Sequence, residues 1–273
     1  MDNFKFDIII QAGQSNAEGM GKGPVSNQYI PNDKVYYLLA DKEVEHTAEK
    51  VIIKFFDKPF NISIAKERIS QGELIGDFSL LFAKKYIESK FFEEDRKVLI
   101  IRAGVGGTGF KKGNWGINDQ LYKKMIEMTD YALSLNNENR VVSFLWHQGE
   151  HDAFERNKPQ IFEKQLLEMF SSVRKHYGNI PIIAGDFVDD WKQKNIDICK
   201  PIIDKIRQSI KFIDNAAFVE TQNLLSNRQK IGNNDDIHFC KEALYELGER
   251  YFNQFLEIKN ENFRKIKMDM DKQ

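Results

Sequence analysis

A serine lies at the end of the first apolar run of the sequence, where a hydroxyl can act as a nucleophile if a base lies beside it. The segment QAGQSNAEGMG places Gln14, Ser15 and Asn16 directly after that run. The run predicts a buried strand, and glycines on both sides of the three residues permit a tight turn. Ligands bind beyond the carboxyl ends of strands in open parallel sheets. Taken alone, the segment equally fits a helix capped by Ser15 or Asn16.

A second segment, RAGVGGTGF, is rich in glycine and follows the next apolar run. Gly104, Gly106 and Gly109 have the GxGxxG spacing of dinucleotide-binding sites. That motif needs a helix to begin at once and an acidic residue about 20 positions later at a strand end, but KKGNWG follows and Asp130 lies in a helical pattern. The glycines better fit backbone N–H groups that approach a ligand or an oxyanion, with a purely structural turn as the alternative.

The third segment, WHQGEHDA, contains His147, Glu150 and His151 in the HxxEH spacing of some zinc peptidases. Zinc binding of that kind requires both histidines on one face of a helix. Here a predicted strand leads directly into His147 and Gly149 interrupts the segment, which disfavours a metal site. The polar residues of the segment instead fit a site lining, or contacts that hold loops together: Gln148, Glu150, His151 and Asp152.

The fourth segment, NNDDIHFCKEALYELG, places Asp235 three residues before His238. In a single turn this spacing can bring the carboxylate to the imidazole Nδ1, which fixes the tautomer and leaves Nε2 free to accept a proton. Asp236 could compete for that role. A helix-capping aspartate beside an unrelated histidine is the plainer alternative.

Apolar runs rich in β-branched residues predict the strands that position these segments. They are Phe6–Ala12, Lys97–Ala103, Val141–Trp146, Pro181–Gly185 and Ala216–Val219. Amphipathic stretches between them predict helices at Phe78–Phe91, Asp119–Asn136, Pro159–Tyr177, Ile198–Ile210 and Lys241–Leu256. The alternation is typical of an α/β fold with a central, mainly parallel five-stranded sheet, and the continuously apolar strands indicate helices on both faces.

The four polar segments follow the first, second, third and fifth predicted strands, so all project from one edge of the sheet. Together they supply a nucleophile, a base with its orienting acid, and backbone N–H donors. Acyl transfer through a tetrahedral oxyanion needs these groups. The combination therefore predicts a serine-dependent acyl-transfer site that none of the segments predicts alone.

The composition argues against several classes of protein. The 40 Lys+Arg and 41 Asp+Glu leave a net charge of −1, so no overall field attracts nucleic acid or an anionic membrane. The apolar runs are far shorter than the ~20 residues of a transmembrane helix. No basic region precedes the first apolar run, so we expect a cytoplasmic protein without a secretory signal. Cys199 and Cys240 lack CxxC spacing and are predicted to be reduced packing residues.

Two regions depart from the alternating pattern. Residues 19–76 have strand-like runs in polar, turn-rich surroundings, with too little apolar material for a separate core. We interpret them as an insertion that could form part of a pocket rim, within a single domain over residues 1–258. Residues 259–273 form a charged tail, which we expect to be frayed and without function.

The blocks GQSN, GGTGF, WHQGEHDA and DDIHF, in this order, resemble the sialate O-acetylesterase-like branch of the SGNH hydrolases. That branch includes acetylxylan esterases of carbohydrate esterase family six. The resemblance spans Ile8 to about Tyr251. It implies a flavodoxin-like three-layer sandwich and a serine esterase that removes O-acetyl groups from carbohydrates through an acetyl-enzyme, without a cofactor or metal.

The resemblance also implies a role for particular residues. Ser15 becomes the nucleophile, His238 the base and Asp235 the residue that orients it. The oxyanion donors become the Ser15 N–H, the Gly107 N–H (with Gly106 as the alternative) and the Gln148 amide. His151 stands where many relatives have a small residue, which bears on substrate preference.

Other residues near the site have less certain roles. Gln14, Asn16, Glu150 and Asp152 are expected to bind substrate or support the site, and Trp115 to stack on a sugar or to act as a buried anchor. The expected partner is a small acetylated saccharide. A noncatalytic carbohydrate-binding protein, a metallohydrolase, and a lipase or thioesterase acting on longer acyl chains are the alternatives.

Overall fold

The strands of the chain follow its apolar runs, in a computed structural model that describes residues 4–47, 49–70 and 72–270. They are β1 (Lys5–Gly13), β2 (Val35–Leu39), β3 (Lys42–His46), β4 (Val51–Phe55), β5 (Asn61–Ile64), β6 (Arg68–Ser70), β7 (Glu73–Ile75), β8 (Arg96–Arg102), β9 (Arg140–His147), β10 (Ile182–Gly185) and β11 (Ala216–Val219). The five predicted strands correspond to β1, β8, β9, β10 and β11, with ends that differ by one residue at most.

The central sheet has seven strands in the order β11-β10-β9-β1-β8-β2-β5. All neighbouring pairs are parallel except β2 and β5. The predicted number of five strands was too low, because β2 and β5 come from the region interpreted as an insertion. The β2 run VYYLL pairs with β8 in register, Val35 opposite Val98, so it extends the main sheet. Local periodicity does not reveal that long-range pairing.

Helices cover both faces of the sheet. They are α1 (Ser15–Glu18), α2 (Phe78–Ile87), α3 (Gln120–Ser134), α4 (Glu150–Phe154), α5 (Pro159–Tyr177), α6 (Asp189–Lys194), α7 (Ile196–Lys211), α8 (Asn227–Ile231) and α9 (Lys241–Met270). The apolar faces of α3, α5 and α7 pack in one core, and those of α2 and α9 pack in the other, on the opposite side. The predicted three-layer α/β architecture is confirmed.

The last helix is longer than predicted. It does not end near Leu256 but continues to Met270. The ring of Phe263 stacks on Phe91 with centroids 6.0 Å apart, and the Asn262 side-chain amide donates to Asn215 Oδ1 at 2.8 Å. The first part of the expected frayed tail is therefore helical and in contact with the body of the protein. Residues 271–273 lie outside the described part of the chain.

The remaining strands form two hairpins beside the main sheet, β3 with β4 and β6 with β7. Cys199 and Cys240 are free and buried, each in one of the two cores. Across residues 4–47, 49–70 and 72–270, no helix has the length and apolar character that crossing a bilayer requires.

Candidate active site

Ser15 is the first residue of the four-residue helix α1, two positions after the glycine at which two strand ends approach closely. Gly13, the last residue of β1, has φ +134°, and a Cβ there would lie 2.0 Å from the His147 carbonyl oxygen. The Gln14 N–H donates to the same oxygen at 3.0 Å. Only glycine fits this position, which joins the turn before Ser15 to the end of β9. Neither Ser15 nor Asn16 caps the helix.

Asn16 connects this turn to the segment that carries His238. The buried Asn16 amide donates to the Ile237 carbonyl at 3.1 Å, and its Oδ1 accepts the Phe239 N–H at 3.2 Å. These two groups belong to the residues on either side of His238. Residues 223 positions apart in the chain are thereby joined, and His238 is held beside the serine turn.

Asp235 is hydrogen-bonded to both the ring and the backbone of His238. Its Oδ2 lies 2.9 Å from Nδ1, its Oδ1 accepts the His238 backbone N–H at 3.2 Å, and Asn227 Nδ2 donates to Oδ2 at 2.9 Å. Burial favours the neutral acid, but the hydrogen bonds from His238 and Asn227 outweigh it and lower the pKa of Asp235. The charged carboxylate holds the proton on Nδ1, so Nε2 is the basic nitrogen.

Asp236 does not compete for His238, because its Oδ2 pairs with Lys194 Nζ at 2.6 Å. No hydrogen bond joins Ser15 Oγ to the His238 ring among the contacts of the described residues.

The glycine loop after β8 lies against Ser15. A Cβ at Gly106 would lie 3.5 Å from Ser15 Cβ. The Gly106 N–H is already used, since it donates to Glu18 Oε2 at 2.8 Å. Gly107 has φ +70°, and within the described part of the chain its N–H has no acceptor. Of the two glycines, Gly107 is the one with a donor available to a ligand.

Gln148 is completely buried under the glycine loop. Its Nε2 donates to Asp152 Oδ2 at 2.7 Å, and it lies 3.4 Å from both the Thr108 carbonyl oxygen and Gln14 Oε1. One amide hydrogen is therefore held by a short bond and the other faces two long contacts. An oxyanion role for Gln148 requires the second hydrogen to leave those contacts.

Gln14 and Asp152 hold the loops of the site together. Gln14 Oε1 accepts the His151 N–H at 2.9 Å. Asp152 accepts four donors, including the backbone N–H groups of Phe110 and Lys111, each at 2.9 Å. A carboxylate with four donors has no capacity left for a sugar hydroxyl.

Glu150 and His147 lie under the serine turn, both with 0% exposure. Glu150 Oε1 accepts from the Asn16 amide at 2.9 Å and lies 3.7 Å from His147 Nε2. Burial raises the pKa of Glu150 to about 7 and lowers that of His147 to about 3. His147 is therefore neutral at physiological pH, and its Nδ1 lies 3.0 Å from the Tyr251 hydroxyl, which itself donates to the Trp146 carbonyl.

Trp115 is not a sugar-stacking residue. Its side chain is fully buried, its Nε1 donates to Thr108 Oγ1 at 3.0 Å, and its ring packs edge-on against Trp146. Burial of the ring, with its one polar atom hydrogen-bonded, fits the role of a buried anchor. His151 is half-buried and stacks on Phe154, and burial lowers its pKa.

Two residues near the site were not singled out from the sequence. Asn227 binds Asp235 from eight positions away, and no sequence motif predicts that contact. Glu18 accepts the Gly106 N–H. Its position three residues after Ser15 was a usable signal, since residues three apart share one side of a helical turn.

Comparisons with known proteins identify the family and the fold of this chain. The chain matches, over residues 5–257, the model of the SASA family, described as carbohydrate esterase, sialic acid-specific acetylesterase. No curated protein matches it. The crystal structure of NanS is similar with a TM-score of 0.72 and 18% identity, over 94% of this chain and 98% of that one.

Two further solved structures are similar. A protein from Arabidopsis thaliana has a TM-score of 0.65 and 19% identity, over 92% of this chain and 98% of that one. A carbohydrate esterase family 2 enzyme from Myceliophthora fergusii, solved with a carbohydrate-binding domain, has a TM-score of 0.51 and 10% identity, over 94% of this chain and 67% of that one. At these identities the structures establish the fold, whereas the family model covers most of the sequence. The chain belongs to the SASA family of carbohydrate esterases, the sialic acid-specific acetylesterases.

Proposed function

We propose that Ser15, His238 and Asp235 form the catalytic triad of a carbohydrate O-acetylesterase whose substrate is a small acetylated saccharide. The observation that carries this proposal is the position of the Asp235–His238 pair beside the serine turn, where Asn16 binds both neighbours of His238. An oriented imidazole next to a serine, with backbone donors nearby, is the arrangement that acyl transfer requires.

In the first half of the reaction, Ser15 Oγ attacks the acetyl carbonyl carbon and His238 Nε2 takes the hydroxyl proton. The N–H groups of Ser15 and Gly107 stabilise the negative carbonyl oxygen, joined by Gln148 when its second amide hydrogen turns toward the substrate. The tetrahedral intermediate then expels the sugar oxygen, which receives the proton from His238.

In the second half, water attacks the acetyl group on Ser15 while His238 Nε2 takes a proton from the water. A second tetrahedral intermediate forms at the same donors. It expels Ser15 Oγ, which takes the proton back from His238, and it releases acetic acid, which then ionises to acetate in water. Bonds and protons balance over the two steps without any additional reactant.

The direct test is hydrolysis of p-nitrophenyl acetate by purified Ser15→Ala and His238→Ala variants. Loss of the nucleophile should lower turnover by roughly 10⁶-fold, and loss of the base should leave almost no activity. Circular dichroism would show that both variants are folded. A Ser15→Ala variant with most of the parent activity contradicts the assignment.

Substrate class is tested separately with p-nitrophenyl esters of increasing acyl length and with O-acetylated sugars. An acetylesterase should prefer acetate and release it from the sugars. Preference for long chains would instead support a lipase or thioesterase. A serine-directed phosphonate that fails to label folded protein would support a noncatalytic carbohydrate-binding protein.

A further inference from the structure

We propose that Glu18 is a positioning residue that holds the glycine loop so that the Gly107 N–H faces the reacting carbonyl. This inference rests on the proposed function, because it concerns the donors of the same reaction. The motif GQSNAEG places Glu18 three residues after Ser15, at the end of helix α1. Both side chains therefore lie on the side of α1 that meets the loop.

The contact between Glu18 and the loop is direct. Glu18 Oε2 accepts the Gly106 N–H at 2.8 Å. The loop also touches the helix backbone, since a Cβ at Gly104 would lie 2.8 Å from the Glu18 nitrogen. A carboxylate that accepts a backbone N–H forms a charge-assisted bond, which is shorter and stronger than a bond between neutral groups.

This bond determines which glycine N–H remains available. With Gly106 bound to Glu18, the next N–H along the chain belongs to Gly107, which has φ +70° and no acceptor within the described residues. If the bond to Glu18 were lost, the peptide before Gly106 could rotate. The Gly106 and Gly107 donors would then no longer have one fixed direction.

Three basic residues surround the carboxylate and hold the backbone near it. Arg102 donates to the Glu18 carbonyl oxygen, Lys42 donates to the Gly104 carbonyl at 3.2 Å, and Arg68 donates to the Gly19 carbonyl at 2.6 Å. Burial lowers the pKa of Lys42, and the charge of Glu18 acts against that effect. A neutral side chain at position 18 would make a weaker bond to the Gly106 N–H than a carboxylate does.

The test compares Glu18→Ala and Glu18→Gln with the parent protein, and uses Glu168→Gln as the control. Glu168 is exposed on α5 and is outside the proposed machinery. Titration with a serine-directed phosphonate measures the concentration of active protein in each sample. Dividing the maximal rate by that concentration gives a kcat that inactive protein does not lower. Glu18→Ala should lower kcat by roughly 10- to 100-fold, less than the 10²–10³-fold loss from deleting a donor, because Gly107 is misdirected and not removed.

The same variant should change KM little, because the lost interaction acts in the transition state. Glu18→Gln should recover part of kcat, since its amide oxygen can still accept the Gly106 N–H. Binding of an arylboronic acid, whose tetrahedral adduct resembles the intermediate, should weaken in parallel with kcat, while inhibition by acetate should not. Unchanged kcat in titrated Glu18→Ala, or equal weakening of both inhibitors, would overturn the inference.

Hydrogen exchange of the Gly106 amide supplies a readout that does not depend on activity. Exchange should be slow in the parent protein and faster in Glu18→Ala. If exchange accelerates while kcat is unchanged, the positioning role is wrong and the esterase assignment stands. If Ser15→Ala proves active, the proposed function fails whatever the exchange result.

Discussion

Asn16 joins the serine turn to the histidine segment. One small amide binds the peptide groups on both sides of His238 and also donates to the buried Glu150. Since Asn16 follows Ser15 in the chain, these bonds hold the serine turn against the histidine segment. An asparagine serves here because its amide is both donor and acceptor, which neither aspartate nor leucine is at this size.

The Asp235–His238 pair leads to a prediction with a matched control. Asp235→Asn should lower kcat by roughly 10³–10⁴-fold, because an amide can donate to Nδ1 and so favours the wrong tautomer of His238. The neighbouring Asp236→Asn removes only the ion pair with Lys194 and should leave kcat close to that of the parent protein. Steady-state kinetics on p-nitrophenyl acetate measures both. Equal losses in the two variants would show that Asp235 does not orient the base.

Glu150 leads to a prediction about pH and stability. Burial raises its pKa from 4.5 to about 7, so the folded protein retains a proton that the unfolded chain releases near pH 4.5. The stabilisation linked to that proton is complete below about pH 4.5 and is lost as pH rises to 7, a change of about 3 kcal/mol.

The measurement is guanidinium unfolding of the parent protein and Glu150→Gln between pH 4.5 and 8. The free energy of unfolding of the parent minus that of the variant should fall as pH rises. His147, whose pKa is lowered to about 3 by burial, has the opposite pH dependence below pH 6.5 but is present in both proteins and cancels in the difference. A difference that is constant with pH would show that Glu150 is not protonated in the folded state.

At the scale of elements, the packing of α9 on α2 depends on a glycine inside the long helix. A Cβ at Gly248 would lie 2.2 Å from the Phe78 carbonyl oxygen and 3.1 Å from Leu81 Cβ. Glycine in the middle of a helix is unfavourable by about 1 kcal/mol relative to alanine. The close approach of the two helices explains why this position nevertheless has no side chain.

Gly248→Ala should therefore destabilise the protein by about 1–3 kcal/mol through overpacking, in spite of the better helix propensity of alanine. Asn253→Ala, at an exposed position of the same helix, should have a neutral or slightly stabilising effect. Thermal unfolding followed by circular dichroism compares them. A Gly248→Ala protein as stable as the Asn253→Ala control would mean that α2 and α9 can move apart without loss.

At the scale of the whole molecule, residues 19–76 are not an independent attachment. They contribute β2 and β5 to the same sheet as β1, and the side chains of Val35 and Tyr37 lie in the core with α2 and α9. The β3–β4 hairpin has a different position, outside the main sheet, where His46 and Val51 lie against Gly107. One region therefore supplies both a structural part of the core and a rim of the site.

We expect hydrogen exchange to separate these two parts. Amides of β2 should exchange as slowly as those of β1, because both open only with the central sheet, whereas amides of the β3–β4 hairpin should exchange faster. Mass spectrometry of peptides covering each strand measures this directly. Rapid exchange throughout residues 19–76 would show instead that the region opens independently of the sheet.

Much of this architecture could be predicted from the sequence by itself. The five strands and most of the helices follow from periodicities that each segment carries alone, and the Asp235–His238 contact spans three residues. The family resemblance, which the family model confirms, came from four short blocks in a fixed order. Local sequence determines the strands, the helices and the Asp235–His238 contact, whereas the resemblance depends on the order of four blocks along the chain.

Only the tertiary structure decided the remaining features. The sixth and seventh strands, the burial of Trp115 and the extended α9 depend on partners far away in the chain. The same is true of the hydrogen bond between the Gly106 N–H and Glu18, on which the proposed role of Gly107 rests. Such outcomes arise because distant groups compete for the same hydrogen bonds and the same buried volume, and no local pattern encodes the result of that competition.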